Sequence, residues 1–189
     1  MKPPNDQSAQ RYRSYLLLLA QMQLDAGARH RVEAADVVQH TLLEAHEKRQ
    51  QFSGDEEGFA AWLRRALANN IRDALRRVRR QKRDVSRERS LEAALEQSSD
   101  RLAGCLAAAQ SSPSGQAVRN EELLALADAL LLLPDAQREA IVLHHLQGCT
   151  LNEVAAHLER TDAAVAGLLH RGLRGLRELL NSAGGETQP

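Results

Sequence analysis

Residues 59–83 read FAAWLRRALANNIRDALRRVRRQKR and carry the strongest structural pattern in the chain. Apolar residues recur in it at spacings of three and four, the period of an amphipathic helix. The pattern predicts one long helix over these residues. Because its apolar stripe needs partners, we expect this helix to pack on the two amphipathic helices predicted for residues 11–27 and 33–50. The apolar stripe consists of Phe59, Trp62, Leu63, Ala66, Leu67, Ile71, Ala74, Leu75 and Val78.

The same helix carries an arginine ridge beside the apolar stripe. Like charges one helical turn apart repel each other, so the ridge favours a negatively charged partner over a merely solvated face. The chain has 25 Lys+Arg and 25 Asp+Glu and is neutral overall, but residues 64–89 hold eleven basic and three acidic residues. That segment therefore has a net charge of +8, and the rest of the chain has −8. The ridge consists of Arg65, Arg72, Arg76, Arg79 and Arg83.

The C-terminal part predicts a second group of helices. An apolar helix over residues 123–133 precedes Pro134, and a further helix is closed by Gly148. The sequence Thr150-Leu151-Asn152-Glu153 is a capping box, which starts a short helix. A polar turn at residues 159–161 leads to a last helix from Asp162 to about residue 180. A short helix, a polar turn and a longer arginine-bearing helix are typical of a helix-turn-helix, although any helical hairpin of a small bundle resembles it.

Composition restricts the class of protein. Leu, Ala, Arg, Glu and Gln dominate, and no stretch alternates with period two, so the fold class is predicted to be all-α. The longest apolar runs are too short to cross a membrane and the N-terminus lacks a signal core, so a cytoplasmic location is expected. The two cysteines, Cys105 and Cys149, suggest neither a disulfide framework nor a metal site. No catalytic constellation or phosphate-binding loop is visible, so we predict no enzymatic activity and no cofactor.

The composition also predicts the domain boundaries. Residues 1–10 and 182–189 are expected to be disordered ends, and residues 11–89 and 121–181 to form two small helical domains. Between them, residues 90–120 are predicted to be a flexible, partly helical linker. Two short helical pieces are expected there, residues 90–96 and 101–109, separated by the polar run Gln97-Ser98-Ser99-Asp100.

Two blocks of the sequence resemble a known family. The run Asp36-Val37-Val38-Gln39-His40-Thr41-Leu42-Leu43-Glu44-Ala45, with Phe52-Ser53-Gly54, residues 59–65 and Asn69-Asn70, resembles region 2 of bacterial RNA polymerase sigma factors. Residues 133–141 and 146–155 resemble region 4. The size of the chain and the lack of a region 3 domain resemble the extracytoplasmic-function class of the sigma-70 family. The resemblance implies a three-helix region 2 domain and a helix-turn-helix region 4 domain.

The resemblance also implies the partners. The region 2 helix that starts near Asp36 would dock on the coiled coil of the polymerase β′ subunit, and region 4 would meet the β flap. The alternative for the first helix is an ordinary amphipathic helix whose apolar residues only fill the core. An anti-sigma factor is a further possible partner. The polymerase-binding residues implied are Asp36, Val37, Gln39, His40 and Leu43.

For promoter DNA, the resemblance assigns the long helix to the minus-ten element. Asn69 occupies the position that contacts a flipped base in related proteins, and its alternative is a surface amide or a cap. Trp62 is expected in the core rather than stacked on a base. The arginine ridge would bind phosphates. The minus-ten residues implied are Arg65, Asn69, Arg72, Arg76, Arg79 and Arg83.

The last helix would enter the major groove at the minus-thirty-five element. The positions after Val165, expected to be exposed, hold Ala166, Gly167 and Leu168, which cannot donate hydrogen bonds to base edges. Readout would then fall on the flanking residues, with thymine-methyl contacts from Ala166 or shape readout as additions. The residues implied are Thr150, Arg160, Thr161, Asp162, Ala166, His170, Arg171 and Arg174.

The function implied is core polymerase binding, promoter recognition and promoter melting. The alternative is a two-domain helix-turn-helix regulator that binds DNA without polymerase. A purely structural helical adaptor is a third class, which the arginine ridge disfavours.

Overall fold

The computed structural model describes residues 6–24, 32–48, 56–79, 85–109 and 116–184, and all regular structure within these ranges is helical. The all-α prediction is therefore confirmed. Two compact units divide the chain, Met1–Ser99 and Asp100–Pro189. The division falls inside the predicted linker of residues 90–120, and the boundaries of that linker stay a prediction. Within the described ranges, no helix combines the length and the apolar character needed to cross a membrane.

The first unit is built around the predicted long helix. Its helices are α1 Asp6–Arg11, α2 Arg13–Gln23, α3 Ala34–Glu47, α4 Glu56–Arg79 and the first part of α5 Val85–Ala109. α3 packs on both α2 and α4. The apolar stripe of α4 is confirmed as core from Phe59 to Ile71, where Phe59, Leu63, Leu67 and Ile71 are all buried. Ala74 and Leu75 are half-buried, and the side chain of Val78 lies outside the described residues. Trp62 is half-buried and stacks on Phe59 with ring centroids 6.0 Å apart, as expected for a packing role.

Two predicted boundaries in this unit are wrong. Residues 6–10 were expected to be disordered, but they belong to helix α1. The two short pieces expected at residues 90–96 and 101–109 are one continuous helix, α5. The polar run between them does not break the helix because Ser98 and Ser99 are buried against α2. There Gln23 Nε2 donates to Ser98 Oγ at 3.1 Å and the Tyr15 hydroxyl donates to Ser99 Oγ at 2.8 Å.

The second unit packs its helices around the last one. These helices are α6 Gln116–Leu132, α7 Asp135–Ile141, α8 Leu151–His157 and α9 Asp162–Gly184, and α9 contacts the other three. A π-helical turn, Val142–Leu146, follows α7, and Gly148 closes this stretch with φ 77°, a conformation that glycine adopts at little cost. The predicted role of Gly148 is confirmed. Residues 182–184 were expected to belong to a disordered tail, but they are the last three residues of α9. Residues 185–189 of the predicted tail lie outside the described ranges.

Gly172 allows α9 to approach α7 closely. A Cβ atom built at this position would lie 2.7 Å from Cδ1 of Ile141, which is fully buried, and 3.4 Å from Cβ of Gln137. A methyl group therefore cannot enter without displacing a packed side chain. The close contact explains why a glycine stands in the middle of a long helix, where it costs about 1 kcal/mol relative to alanine.

We expect Gly172→Ala to destabilise the second unit by about 1 kcal/mol, because overpacking costs about 1–3 kcal/mol and the gain in helix propensity offsets only part of it. Adding Ile141→Val, which removes the clashing Cδ1, should recover most of the loss. Denaturant unfolding of the single and double variants measures this coupling. Gly104→Ala is the matched control, since a Cβ added there would have nothing within 4 Å and the same substitution should stabilise the chain. Equal effects at both glycines would contradict the packing role.

Candidate functional site

α3 presents an exposed face made of four predicted polymerase-binding residues. Asp36, the adjacent pair Gln39 and His40, and Leu43 follow one another along it at steps of three or four residues, and all are exposed. Leu43 is 55% exposed, so a large apolar side chain stands within this polar face. Val37 does not belong to it: the residue is only 5% exposed, because its side chain packs into the core. The assignment of Val37 to the polymerase surface is corrected accordingly.

The adjacent asparagines of α4 point in different directions. Asn69 is exposed, whereas Asn70 is turned towards α3. The Asn70 amide donates to Thr41 Oγ1 and to Glu44 Oε2, both at 3.1 Å. Lys48 also donates to Glu44, and this bond, reinforced by Asn70, lowers the pKa of the Glu44 carboxyl below its ordinary value. Asn70 therefore ties α4 to α3, and Asn69 is the asparagine available to an outside partner.

The amide of Asn69 has a defined orientation. Arg72 Nη1 donates to Asn69 Oδ1 at 2.6 Å. A guanidinium can only donate, so the atom that it contacts must be the amide oxygen. The amide NH₂ group of Asn69 is then the one presented to a partner.

The arginines of α4 differ in accessibility. Arg65 and Arg76 are exposed, and Arg76 pairs with Asp73 at 2.9 Å. The side chains of Arg72 and Arg64 are only 17% and 13% exposed. Carboxylates of α5 hold both, because Arg72 pairs with Glu92 at 2.9 Å and Arg64 pairs with Glu96 at 2.8 Å. The side chain of Arg79 and the whole of Arg83 lie outside the described residues.

The helix-turn-helix has its predicted start and a turn closed by backbone hydrogen bonds. Thr150 Oγ1 accepts from the Glu153 N–H at 3.3 Å, and Glu153 Oε2 accepts from the Thr150 N–H at 2.7 Å, which confirms the capping box. At the end of α8, Arg160 N donates to Ala155 O at 2.9 Å across Glu159, whose φ of 52° gives the left-handed cap of a Schellman turn. Thr161 Oγ1 then caps α9 by accepting from the Ala164 N–H.

The exposed face of α9 is a stripe of residues four apart. Asp162, Ala166, His170 and Arg174 follow one another along it, and Arg171 lies beside it over Gly167. Leu168 is 8% exposed and packs inward, so the expectation that it lies on the DNA-facing surface is wrong. The exposed side chains on this part of the unit are those of the stripe and of the adjoining turns. Those turns expose Thr150, Arg160 and Thr161.

Replacing Thr150 with alanine is expected to destabilise the second unit by about 1 kcal/mol, because one N-terminal N–H of α8 loses its acceptor. Thr150→Ser is the matched control and should retain the cap. Thermal unfolding of the three proteins at neutral pH measures the difference. Loss of DNA binding by both variants at unchanged stability would instead make Thr150 a base contact.

The capping box also gives a pH signature. The backbone N–H and the hydroxyl of Thr150 lower the pKa of Glu153 below its ordinary value of 4.5. A carboxyl whose pKa is lower in the folded state stabilises the fold above its unfolded pKa, and the contribution is lost as the pH falls through the folded pKa. The stability difference between the wild type and Glu153→Gln should therefore shrink below pH 4.5.

Two acidic residues near the α4 surface were missed by sequence reasoning. Glu92 and Glu96 lie in the segment assigned to the linker, and their partners are 20 and 32 residues away in the chain. Glu92 and Glu96 are four residues apart and therefore lie on the same side of the helix, near Leu95, which is buried. This helical spacing is the local sequence signal that could have placed them close to the core.

Two family models match the chain, one within each compact unit. Residues 10–81 match the family model described as Sigma-70 region 2, and residues 123–176 match the model described as Sigma-70, region 4. The chain is 34% identical over 145 residues to the probable RNA polymerase sigma factor RfaY of Xanthomonas campestris pv. campestris, covering 77% of this chain and 33% of that protein. It is 35% identical over 148 residues to the RNA polymerase sigma factor CnrH of Cupriavidus metallidurans, covering 78% of this chain and 73% of that protein.

Both matched regions contain the surfaces described above, in the order that the resemblance to the extracytoplasmic-function class predicted. The exposed faces of α3 and α4 lie within the region 2 match, and the helix-turn-helix lies within the region 4 match. The chain therefore belongs to the sigma-70 family of RNA polymerase sigma factors.

Proposed function

We propose that this chain binds core RNA polymerase, recognises promoter DNA and promotes its melting. The observation that carries the proposal is the division of labour between Asn69 and Asn70. Asn70 joins α4 to α3 by hydrogen bonds, and Asn69 is exposed with its amide NH₂ group directed away from the core. Two relatives are RNA polymerase sigma factors by name, which supports the same interpretation.

Promoter melting requires a site that captures a base after it leaves the duplex. Unstacking a base costs a few kcal/mol, which contacts to the extruded base must offset. The Asn69 amide supplies a hydrogen-bond donor for a base edge, and Arg65 and Arg76 supply positive charge for the backbone on the same helix. The site works by binding alone, so no catalytic residue or cofactor enters the proposal.

Polymerase binding is assigned to the exposed face of α3. An apolar side chain within a polar surround is the usual composition of a helix that docks on another helix. Leu43 supplies the apolar centre, and Asp36, Gln39 and His40 supply the polar surround. We assign the β′ coiled coil to this face and the β flap to region 4, and we expect the chain to act in the cytoplasm, where polymerase and promoter DNA are found.

Region 4 is assigned to the minus-thirty-five element through the α9 stripe. Ala166 offers only a methyl group for a thymine methyl, so hydrogen bonds to bases fall to the exposed polar side chains around it. These are Asp162, His170, Arg171 and Arg174 of α9 and Thr150, Arg160 and Thr161 of the adjoining turns. Arg174 also pairs with Glu178 at 3.7 Å, an exposed contact that DNA can replace. The minus-thirty-five readout is therefore expected to rest on few base contacts and on backbone charge.

The alternative is a helix-turn-helix regulator that binds duplex DNA without polymerase. Mobility-shift experiments with promoter duplex, with and without core polymerase, separate the two. The proposal predicts specific retardation only when core is present. Specific binding of the chain alone, unchanged by core, would support the regulator instead.

Replacing Arg65 and Arg76 with alanine is expected to flatten the salt dependence of binding to single-stranded promoter DNA. Each lost phosphate contact lowers the slope of log K against log salt by about 0.7, so the double variant should lose about 1.4. Filter binding of the holoenzyme at several salt concentrations measures the slope. Arg13→Ala with Lys48→Ala is the matched control, because both residues are exposed cations of the same unit outside α4. An equal loss of slope in the control would remove the α4 arginines from the phosphate contacts.

A further inference from the structure

The first part of α5 lies against the basic face of α4. Glu96 accepts two hydrogen bonds from Arg64, one from Nε at 2.8 Å and one from Nη2 at 2.9 Å. One turn earlier, Glu92 accepts from Arg72 Nη2 at 2.9 Å. The two glutamates thus present carboxylates, four residues apart, to two arginines of the strongly basic segment.

Uncharged contacts fasten the same part of α5. Leu95, between the two glutamates, is fully buried. Beyond it, Ser98 and Ser99 bond to Gln23 and Tyr15 of α2. The Tyr15 hydroxyl also accepts from Arg64 Nη1 at 3.1 Å, so the arginine belongs to the docking site itself. Residues 91–99 are therefore packed against the other helices of the first unit.

A carboxylate and a phosphate compete for the same groups of an arginine. Both are oxyanions that accept paired N–H bonds from one guanidinium. While Glu92 and Glu96 hold their partners, the Arg72 and Arg64 side chains are 17% and 13% exposed. These arginines cannot give their full hydrogen-bonding capacity to nucleic acid until the glutamates withdraw.

We propose that residues 91–99 act as an intramolecular competitor for promoter DNA, with Glu92 and Glu96 in the place of backbone phosphates. The inference rests on the proposed function, since it needs α4 to be a DNA-binding helix. Docked residues 91–99 lower the fraction of free chain that is competent to bind, and the apparent affinity falls by that fraction. The ion pairs are solvent-accessible on the glutamate side, 46% and 57% exposed, and are weak enough for a strand with several phosphates to displace.

The test uses the full chain without polymerase and a labelled single-stranded oligonucleotide. Glu92→Gln with Glu96→Gln should raise the affinity about tenfold at low salt, because the competent fraction rises. The slope of log K against log salt should also become steeper, because salt weakens the competing Glu–Arg ion pairs of the wild type and the variant lacks them. The matched control is Glu33→Gln with Glu47→Gln, which removes the same charge from exposed positions of the same unit. The control should show neither the gain in affinity nor the steeper slope.

A second measurement does not depend on substitution. In hydrogen exchange of the wild-type chain, amides of residues 91–99 should exchange faster when the oligonucleotide is added, since the strand displaces them. Unchanged or slower exchange there, or a double variant that behaves like its control, would overturn the inference. Arg65→Ala with Arg76→Ala, measured in holoenzyme, separates the two proposals: a flatter slope retains α4 as the DNA-binding helix, and an unchanged slope rejects both.

Discussion

Leu43→Asp should weaken binding to core polymerase at least about tenfold while leaving the fold intact. The wild-type side chain is 55% exposed, so its removal costs the free protein little. At an interface, truncation of a central apolar residue costs about 2 kcal/mol or more, which corresponds to about 30-fold in affinity. The introduced charge adds a desolvation cost. Titration of labelled core with the variant measures the dissociation constant.

The control for this change is Ala103→Asp, which adds the same charge at an exposed position on α5. It should bind core as the wild type does. Circular dichroism and thermal unfolding of both variants show whether either has lost structure. If Leu43→Asp binds core normally, the exposed face of α3 is not the polymerase surface, and Leu43 is only an exposed apolar residue.

Asn69→Ala should reduce open-complex formation at least about tenfold with core binding unchanged. The substitution removes the donor that meets an extruded base, and leaving the base-edge acceptor without a partner costs about 1–3 kcal/mol. It also frees Arg72 from Asn69 Oδ1, but this contact is exposed and contributes little to stability. Permanganate footprinting of unpaired thymines in the promoter measures melting.

Asn70→Ala is the control that the neighbouring position offers. It removes two hydrogen bonds between α4 and α3 and should destabilise the first unit by about 1–2 kcal/mol. The folded fraction of Asn70→Ala should melt promoter DNA as well as the wild type does. The opposite pattern, with Asn70→Ala losing melting and Asn69→Ala losing stability, would mean that the outward and inward roles are exchanged.

Local patterns predicted the elements whose stabilising contacts are local. The capping box at Thr150 and Glu153 and the turn before α9 depend on residues within a few positions of each other, and the structure has both. The apolar stripe of α4 was predicted correctly because helical period alone decides which residues share a face.

Contacts between distant residues could not be predicted in the same way. From the sequence, Ser98 and Ser99 predict the end of a helix, because small polar residues favour turns. They continue a helix because Tyr15 and Gln23, 84 and 75 residues away, supply their hydrogen-bond partners.

The accessibility of the α4 side chains also depends on distant residues. The sequence pattern treats the arginine ridge as uniformly available, but Glu92 lies beside Arg72 and covers part of it. Asn69 and Asn70 are identical neighbouring residues, so the sequence does not show which one points outward. The packing of α3 on α4 distinguishes them, because it places the partners of Asn70 on α3.

The neutral net charge of the chain has a structural counterpart in these pairs. Residues 64–89 hold the excess of basic residues, and the compensating acidic residues include Glu92 and Glu96 from the next helix. Part of the excess positive charge is therefore neutralised by direct ion pairs within the first unit. In the competition proposed for residues 91–99, the same contacts limit DNA binding by the free chain.

Run-off transcription with purified chain, core polymerase and promoter DNA shows whether the chain initiates transcription. The expected result is a defined transcript that requires the chain and persists with Ala103→Asp. The amount of transcript should fall with Leu43→Asp at the binding step and with Asn69→Ala at the melting step. A chain that binds the promoter duplex alone and gives no transcript with core under any condition would contradict the account and favour the regulator.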